Sequence, residues 1–500
     1  MWPLTCSHRL LLTGALCLSG CVQLGPDFEP QRVAWSDQWD TPALRQASEA
    51  RAQPDLRQWW RVFDDPVLDY LIAQADAHNT GVQIAGLQIM EARAQLGIAR
   101  SGRYPQAQVA GADALYQRRS ARSPEGNPRP GSFWQYSAGF DIGWELDFWG
   151  RFSRAIESAD AAYFTAVANR EDVLVLLHAQ VAESYFALRT TEARLRIARD
   201  NAAIQKRSYE ITERLFRSGE TDELDLQQAK TQYLGTLGTI PELESQIART
   251  RNALSVLIGQ PPSPMPALTA NEAVVPLVDR AILQDVPANL LLRRPDIRAA
   301  EHRIAAQSAQ IGVAEADLYP SLTLLGSIVW TATSLAGTSG GAALLGGPTL
   351  TWNVFDHGRL QNNVRLQDAR LQQLIASYQD QVREAAREAD DAASGLIKAL
   401  ERDGILHDAA LAARRSLTLA NTLYRDGYTD FQRVLDAQRA LATQQEAYVT
   451  NRGGAVSDLI ALYKALGGGW YSEQPLLDVA TRQQMQQRTD WGGLLAEPSQ

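Results

Sequence analysis

The side chains from which catalytic and metal sites are usually built are scattered along this chain. His78, His178, His302, His357 and His407 share no ligand spacing, and no nucleophile motif or phosphate-binding loop accompanies them. Asp356-His357-Gly358 has the right residue types for acid–base work. It falls, however, at a strand-to-helix junction mirrored by Phe148-Trp149-Gly150, where such residues serve the turn. Met90, Met265 and Met485 are too far apart to form a soft-metal cluster. The residues therefore point away from an enzyme and require no cofactor or bound metal. Cysteine is the exception in placement: Cys6, Cys17 and Cys21 all lie at the very start. A basic His8-Arg9, an apolar run from Leu10 to Leu18 and the small residues before Cys21 describe a secretory signal. Its removal would leave Cys21 as the only thiol and no disulfide framework.

Leu18-Ser19-Gly20-Cys21 resembles the bacterial lipoprotein signal, in which the cysteine is diacylated and becomes the new N-terminus. An ordinary leader with an incidental cysteine is the alternative. Val22 rather than aspartate follows the cysteine, which resembles lipoproteins sent to the outer membrane. Acyl chains anchor through about 0.8 kcal/mol per buried methylene, so several chains together hold firmly.

These residues sit on a duplicated chain. Trp144, Gly150, Arg151, Gly219, Thr221, Asp222, Ala229 and Gly259 recur 208 residues later as Trp352, Gly358, Arg359, Gly427, Thr429, Asp430, Ala437 and Gly467. Upstream, Ala94–Pro105 matches Ala309–Pro320 at an offset of 215, a difference in loop length. Such a repeat decides the architecture before any local reading does. Acidic residues number 57 against 48 basic ones, and the only lysines are Lys206, Lys230, Lys398 and Lys464. Charges alternate in sign along the helical stretches, as on solvated helix faces. No basic patch suited to nucleic acid is present.

Each copy opens with alternating segments. From Trp134 to Leu146, Trp134, Tyr136, Ala138, Phe140, Ile142, Trp144 and Leu146 alternate with Gln135, Ser137, Gly139, Asp141, Gly143 and Glu145. One apolar face with aromatics at both ends and one polar, acidic face is the inside-out pattern of an outer-membrane β-barrel. In the second copy Leu322, Leu324, Ile328 and Trp330 alternate with Ser321, Thr323, Ser327 and Thr331. Its partner strand is expected to carry Leu350, Trp352 and Val354, after a loop from Thr333 to Gly347. The leading strand of the first copy, about Ala107 to Gln117, is expected to place Asp113 on its outward side. The loop after it runs from Arg122 to Ser132. No apolar run is long enough for a spanning helix after the leader. Four strands cannot close a barrel, and an open sheet edge is not tolerated in lipid, so the chain must oligomerise.

Between Gly150 and Gly219 lie 68 residues without Gly or Pro, and between Gly358 and Gly427 another 68 without Pro. Each would extend roughly 100 Å as a single helix. Leu174, Val181, Leu188, Leu195, Ala202, Tyr209 and Phe216 form a seven-spaced row, with Ile197, Ile204 and Ile211 forming a second. Two rows suggest neighbours on both sides, as in a ring of helices. Gly219 and Gly427 are expected to cap the incoming helices, and Thr221 and Thr429 to N-cap the outgoing ones.

These features resemble the bacterial outer-membrane efflux channels of the TolC/NodT type, in particular the lipoprotein branch serving resistance–nodulation–division pumps. The resemblance is carried by Cys21–Pro30, Trp59–Leu71, Leu291–Glu301 and Ala309–Pro320. It implies an α+β membrane protein with a trimeric outer-membrane factor fold. Four strands per chain would form a shared 12-strand β-barrel, continued by a coiled-coil α-helical barrel of twelve helices. The parts would be a signal peptide (1–20), a lipidated equatorial segment with the first helix (21–92) and repeat 1 (93–259). An equatorial connector (260–307), repeat 2 (308–467) and a C-terminal equatorial tail (468–500) would follow. The resemblance also implies a homotrimer in outer-membrane lipid, working with a periplasmic adaptor and an inner-membrane transporter to export drugs or other small solutes. By that resemblance Asp436 marks a periplasmic gate, with Tyr424, Thr429 and Asp430 nearby. Arg433 stands where some relatives are acidic, which departs from a double acidic ring. Gly219, Thr221, Gly427 and Thr429 would meet the adaptor. An outlet for type I protein secretion and a lipid-anchored coiled-coil scaffold without a channel are the competing readings. The acidic, aromatic strand from Trp134 to Leu146 argues against the scaffold.

Overall fold

The computed structural model describes residues 22–30, 56–119, 131–269, 274–278, 288–334 and 340–495. Cys21, the leader and most of the loop before Ser132 lie outside the described residues. After a short 3₁₀ turn at Leu56–Phe63 come α1 (Pro66–His78), α2 (Thr80–Ser101), β1 (Ala107–Arg119), β2 (Gly131–Leu146), α3 (Arg151–Ser218) and α4 (Glu223–Leu257). They are followed by α5 (Pro295–Ala316), β3 (Ser321–Ala332), β4 (Gly340–Thr351), α6 (Arg359–Arg425), α7 (Phe431–Ala465) and α8 (Val479–Arg488). The duplication is visible in the elements. The series α2-β1-β2-α3-α4 recurs as α5-β3-β4-α6-α7, with long helices of 68 and 67 residues and returning helices of 35 each.

Two compact units emerge, and each draws on both copies. The first comprises residues 1–31, 89–166 and 300–377. It contains one antiparallel sheet in the order β1-β2-β3-β4. The register sorts its side chains onto two faces. Tyr116 lies opposite Trp134, the small Ala138 opposite Trp330, Phe140 opposite Ile328, and Trp144 opposite Leu324. Ile328 continues to Leu344, and Leu322 to Leu350, so one face is apolar across all four strands. The other face carries Asp113, Gln135, Ser137, Asp141, Glu145, Thr323, Ser327, Thr331 and Thr349.

Two expectations about the sheet are corrected. Asp113 pairs with Ser137 and is hydrogen-bonded by its hydroxyl, so it belongs to the polar face. The cost of its position falls instead on Val109 and Leu115, apolar residues that share that face. The strand β4 begins at Gly340, inside the segment expected to be a loop, and ends at Thr351 before Trp352 and Val354. Pairing along all of β3 overrides the weak strand preference of its glycines and alanines. Small residues also suit the site: a side chain at Gly340 would meet the Trp330 ring at 2.7 Å. Trp352 lies in the connection to α6 and donates its indole N–H to Leu318 O at 3.0 Å. Asp356 then accepts from Gly358 N and Leu360 N, at 3.0 and 2.7 Å, and opens α6.

The second unit comprises residues 32–88, 167–299 and 378–500. Within it the first heptad row is buried at Leu174, Val181, Leu188, Leu195 and Ala202. Further along, Tyr209 is half-buried and Phe216 exposed. Ile204 and Ile211 of the second row remain 37% exposed each in the single chain. Around α3, Trp59 stacks on Tyr463 at 5.1 Å, and Phe63 meets Phe186 at 4.5 Å. The buried His178 ring contacts Asp76 at 2.6 Å, and Ser472 donates to the same carboxylate at 2.9 Å. Tyr185 donates to Asp65 at 2.6 Å while Asp65 N-caps α1 through Val67 N. Burial and the Asp65 carboxylate push the Tyr185 hydroxyl up to about 12. In α4 the helix continues through Pro241, three residues after Gly238.

Candidate functional site: the paired tip turns

The two helical hairpins of the second unit reverse in the same way. Glu220 N donates to Leu215 O and Gly219 N to Phe216 O, at 2.9 and 3.1 Å. Tyr428 N donates to Leu423 O and Gly427 N to Tyr424 O, at 2.8 and 3.0 Å. Each pair satisfies the last carbonyls of the long helix and requires a left-handed residue at the corner. Gly219 has φ +78° and Gly427 φ +80°.

The outgoing helices start one residue later than expected. Asp222 caps α4 by accepting from Asp225 N at 2.9 Å, and Asp430 caps α7 by accepting from Arg433 N at 3.3 Å. Thr221 instead donates to the Asp225 carboxylate at 2.7 Å, and Thr429 is half-buried beside the cap. An aspartate at this position also places negative charge at the positive end of the helix dipole.

Under the turns lies a compact apolar core. Phe431, Val434, Leu435 and Leu441 of α7 pack with Leu417 and Ala413 of α6 and Ala229 of α4. Tyr209 and Tyr424 lean on its edge, Tyr424 against the Phe431 ring at 5.3 Å. Burial, helped by the Asp225 charge, raises the Tyr424 hydroxyl above its ordinary range. Tyr424 is therefore a packed residue with one accessible edge.

Asp436 lies on the solvent-exposed face of α7, 60% exposed. Gln432 donates to it at 3.0 Å, and the Arg439 guanidinium approaches to 3.6 Å. Arg439 also donates to Gln232 of α4 at 2.9 Å, which ties the two outgoing helices together. Arg433 is exposed one turn before Asp436. The structure thus brings Asp430, Arg433 and Asp436 onto one helix end, with basic residues on either side of Asp436. Sequence reading passed over Phe431, Gln438 and Arg439. Gln438 is buried and donates to Ser208 of α3 at 2.7 Å. The spacing Phe431, Val434, Leu435, Gln438, Leu441 was the available signal for that inward face. Among the described residues no group of three or more His, Cys, Asp or Glu side chains could hold a metal.

The family model described as outer membrane efflux protein matches residues 71–260 and 286–468. The chain is 30% identical to the probable outer membrane lipoprotein SilC of Salmonella typhimurium, over 92% of this chain and 98% of that protein. It is 32% identical to the pyoverdine export outer membrane protein OpmQ of Pseudomonas putida, over 94% of this chain and 98% of that one. The solved structure of the outer-membrane channel OprN superposes with a TM-score of 0.82 at 31% identity, covering 89% of this chain and 99% of that chain. With both copies of the repeat matched and nearly whole relatives aligned, the chain belongs to the outer membrane efflux protein family and is an outer-membrane channel of an efflux system.

Proposed function

We propose that three copies of this chain assemble into one conduit, a twelve-strand barrel in the outer membrane joined to a tunnel of twelve helices. An inner-membrane transporter and a periplasmic adaptor would load it with drugs or other small solutes, and the transporter would supply the energy. The observation that carries this reading is the sheet: four strands with an apolar face, a polar face, and β1 and β4 at its open edges. In lipid every backbone donor and acceptor needs a partner, so those edges must be joined to other copies. The half-exposed Ile204 and Ile211 fit a helix neighbour from a second chain in the same way. Cys21 is the acylated residue in this reading, and the turns at Gly219, Thr221, Gly427 and Thr429 receive the adaptor.

Asp436 lines the constriction, with Tyr424, Thr429, Asp430 and Arg433 around it. Three copies bring three carboxylates towards one axis, and each is partly balanced by Arg439. The test is planar-bilayer conductance of the assembled protein in a salt gradient. A steady single-channel current is expected, and Asp436→Ala should shift the reversal potential towards anions or raise the leak. No current from correctly assembled protein would favour a scaffold. Unchanged current and selectivity in Asp436→Ala would remove Asp436 from the constriction.

A further inference from the structure

Arg154, in the first turn of α3, is 2% exposed, and its acceptors are unusual. Its Nε donates to Leu24 O at 2.9 Å, and Nη2 to Gly25 O at 3.0 Å and to the Asp27 carboxylate at 2.9 Å. Only Nη1, bonded to Glu157 at 2.8 Å, is served by its own helix. A guanidinium taken out of water is tolerated only when paired and hydrogen-bonded. Three of the four acceptors here come from the extended segment 22–27, so the site is built to hold that segment.

Other contacts seat the same residues. Leu24 N donates to Trp149 O at 3.2 Å, Ser308 donates to Pro26 O at 3.4 Å, and Gln23 donates to Glu157 at 3.3 Å. Gly25, at φ +84°, crosses Gly312 of α5 so closely that a Cβ on Gly25 would stand 2.4 Å from Gly312 Cα. A Cβ on Gly312 would in turn stand 2.5 Å from Leu24 O. Only a glycine pair permits this approach.

The segment ends beside an aromatic rim. Trp149 stacks on Tyr319 at 4.7 Å and donates to Pro320 O at 2.8 Å. Phe148, Trp352 and Phe355 are exposed in the joins between strands and helices, and Trp144 is exposed near the end of β2. Trp and Tyr collect where a membrane meets water. Three residues of extended chain reach at most about 11 Å, so residue 21 stays within that distance of Leu24.

We infer that residues 22–27 form a docked strap and that Arg154 is the positioning residue which fixes where the acylated N-terminus enters the membrane. That entry point is the lipid–water interface at the aromatic rim Trp144, Phe148, Tyr319 and Trp352. Anchor and sheet then meet one leaflet at one depth. The partner is a lipid surface, and the inference rests on the reading that Cys21 carries the acyl groups.

The experiment uses the full acylated protein with Gln23→Cys spin-labelled and reconstituted in phospholipid vesicles. The label is expected to be immobile and at headgroup depth, judged by its relative accessibility to oxygen and to a water-soluble nickel complex. Arg154→Met should make it mobile, and Gly25→Ala should do the same without touching Arg154 or its helix. Each charge-assisted bond lost should raise the undocked fraction by roughly tenfold, while Arg154→Lys restores part of the docking. A label as immobile in both variants as in the parent, or one lying in water away from the interface, overturns the proposal. Mass spectrometry of residue 21 separates the two readings. An immobile label on an unacylated chain would keep the strap and discard the anchor.

Discussion

Asp458 of α7 faces Gly395 of α6. Its carboxylate lies over Gly395, where an added Cβ would stand 2.9 Å from the oxygen, and burial raises its pKa above the usual carboxylate range. A carboxyl group whose folded pKa is raised contributes stability that is full in acid, while it is neutral in both states. That contribution is lost as pH rises through the folded pKa. Asp458→Asn should therefore stabilise the helix pair at neutral pH, with the gain vanishing in acid below the ordinary aspartate range. Thermal denaturation at several pH values checks this, and a gain independent of pH would refute the charge argument. Little of this residue-level detail was legible in the sequence. Nothing local to Arg154 or His178 announces burial, or to Asp458 its partial burial, because each is covered by segments distant in the chain. The tip caps fall one residue later than the threonines suggest for a different reason. Thr221 and Thr429 are good capping types, but the aspartates beside them bring both an acceptor and a charge suited to the helix end.

At the scale of elements the corners of the hairpins are the clearest test. A Cβ at Gly427 would meet nothing within 4 Å, so substitution there costs only the left-handed backbone, about 1–2 kcal/mol for an L-residue. Gly427→Ala should speed amide exchange in the last turn of α6 and the first of α7 while leaving the middle of both helices protected. Unaltered exchange at the tip would mean that φ at Gly427 does not hold the turn. The long helices themselves were fully readable, since glycines at 150, 219, 358 and 427 bracket their ends and period-seven rows run along the first of them. The strand β2 was equally plain from its alternation. The start of β4 was not, because Gly340 to Gly347 has the composition of a loop and becomes a strand only through hydrogen bonds to β3.

At the scale of the whole molecule the decisive property is the two-faced sheet. Phe140 is on the apolar face between Ala110 and Ile328, and its neighbour Asp141 is on the polar one. Phe140→Arg would place a charge in hydrocarbon at a cost of about 2–4 kcal/mol near the bilayer midplane. It should reduce the yield of assembled, membrane-inserted protein, measured on native gels from outer-membrane fractions, whereas Asp141→Asn should assemble normally. Equal assembly of both variants would place water on both faces. The expectation of partner copies rests on strand number, since four strands leave β1 and β4 with open edges. The faces of β2 and β3 followed from alternation, but the face of Asp113 in β1 and the order of neighbouring strands required the register.

Duplication has not left the two hairpins mechanically alike. Pro241 removes one amide donor from the interior of α4, just beyond Gly235 and Gly238, whereas the corresponding stretch of α7 carries Thr443, Glu446 and Val449. A stretch with one rung missing and two glycine joints beside it yields more easily than the matching stretch of its twin. Flexing of α4 is thereby concentrated between Gly235 and Pro241, whereas the second hairpin carries its helix glycines elsewhere, at Gly395 and Gly404 of α6 and Gly453 and Gly454 of α7.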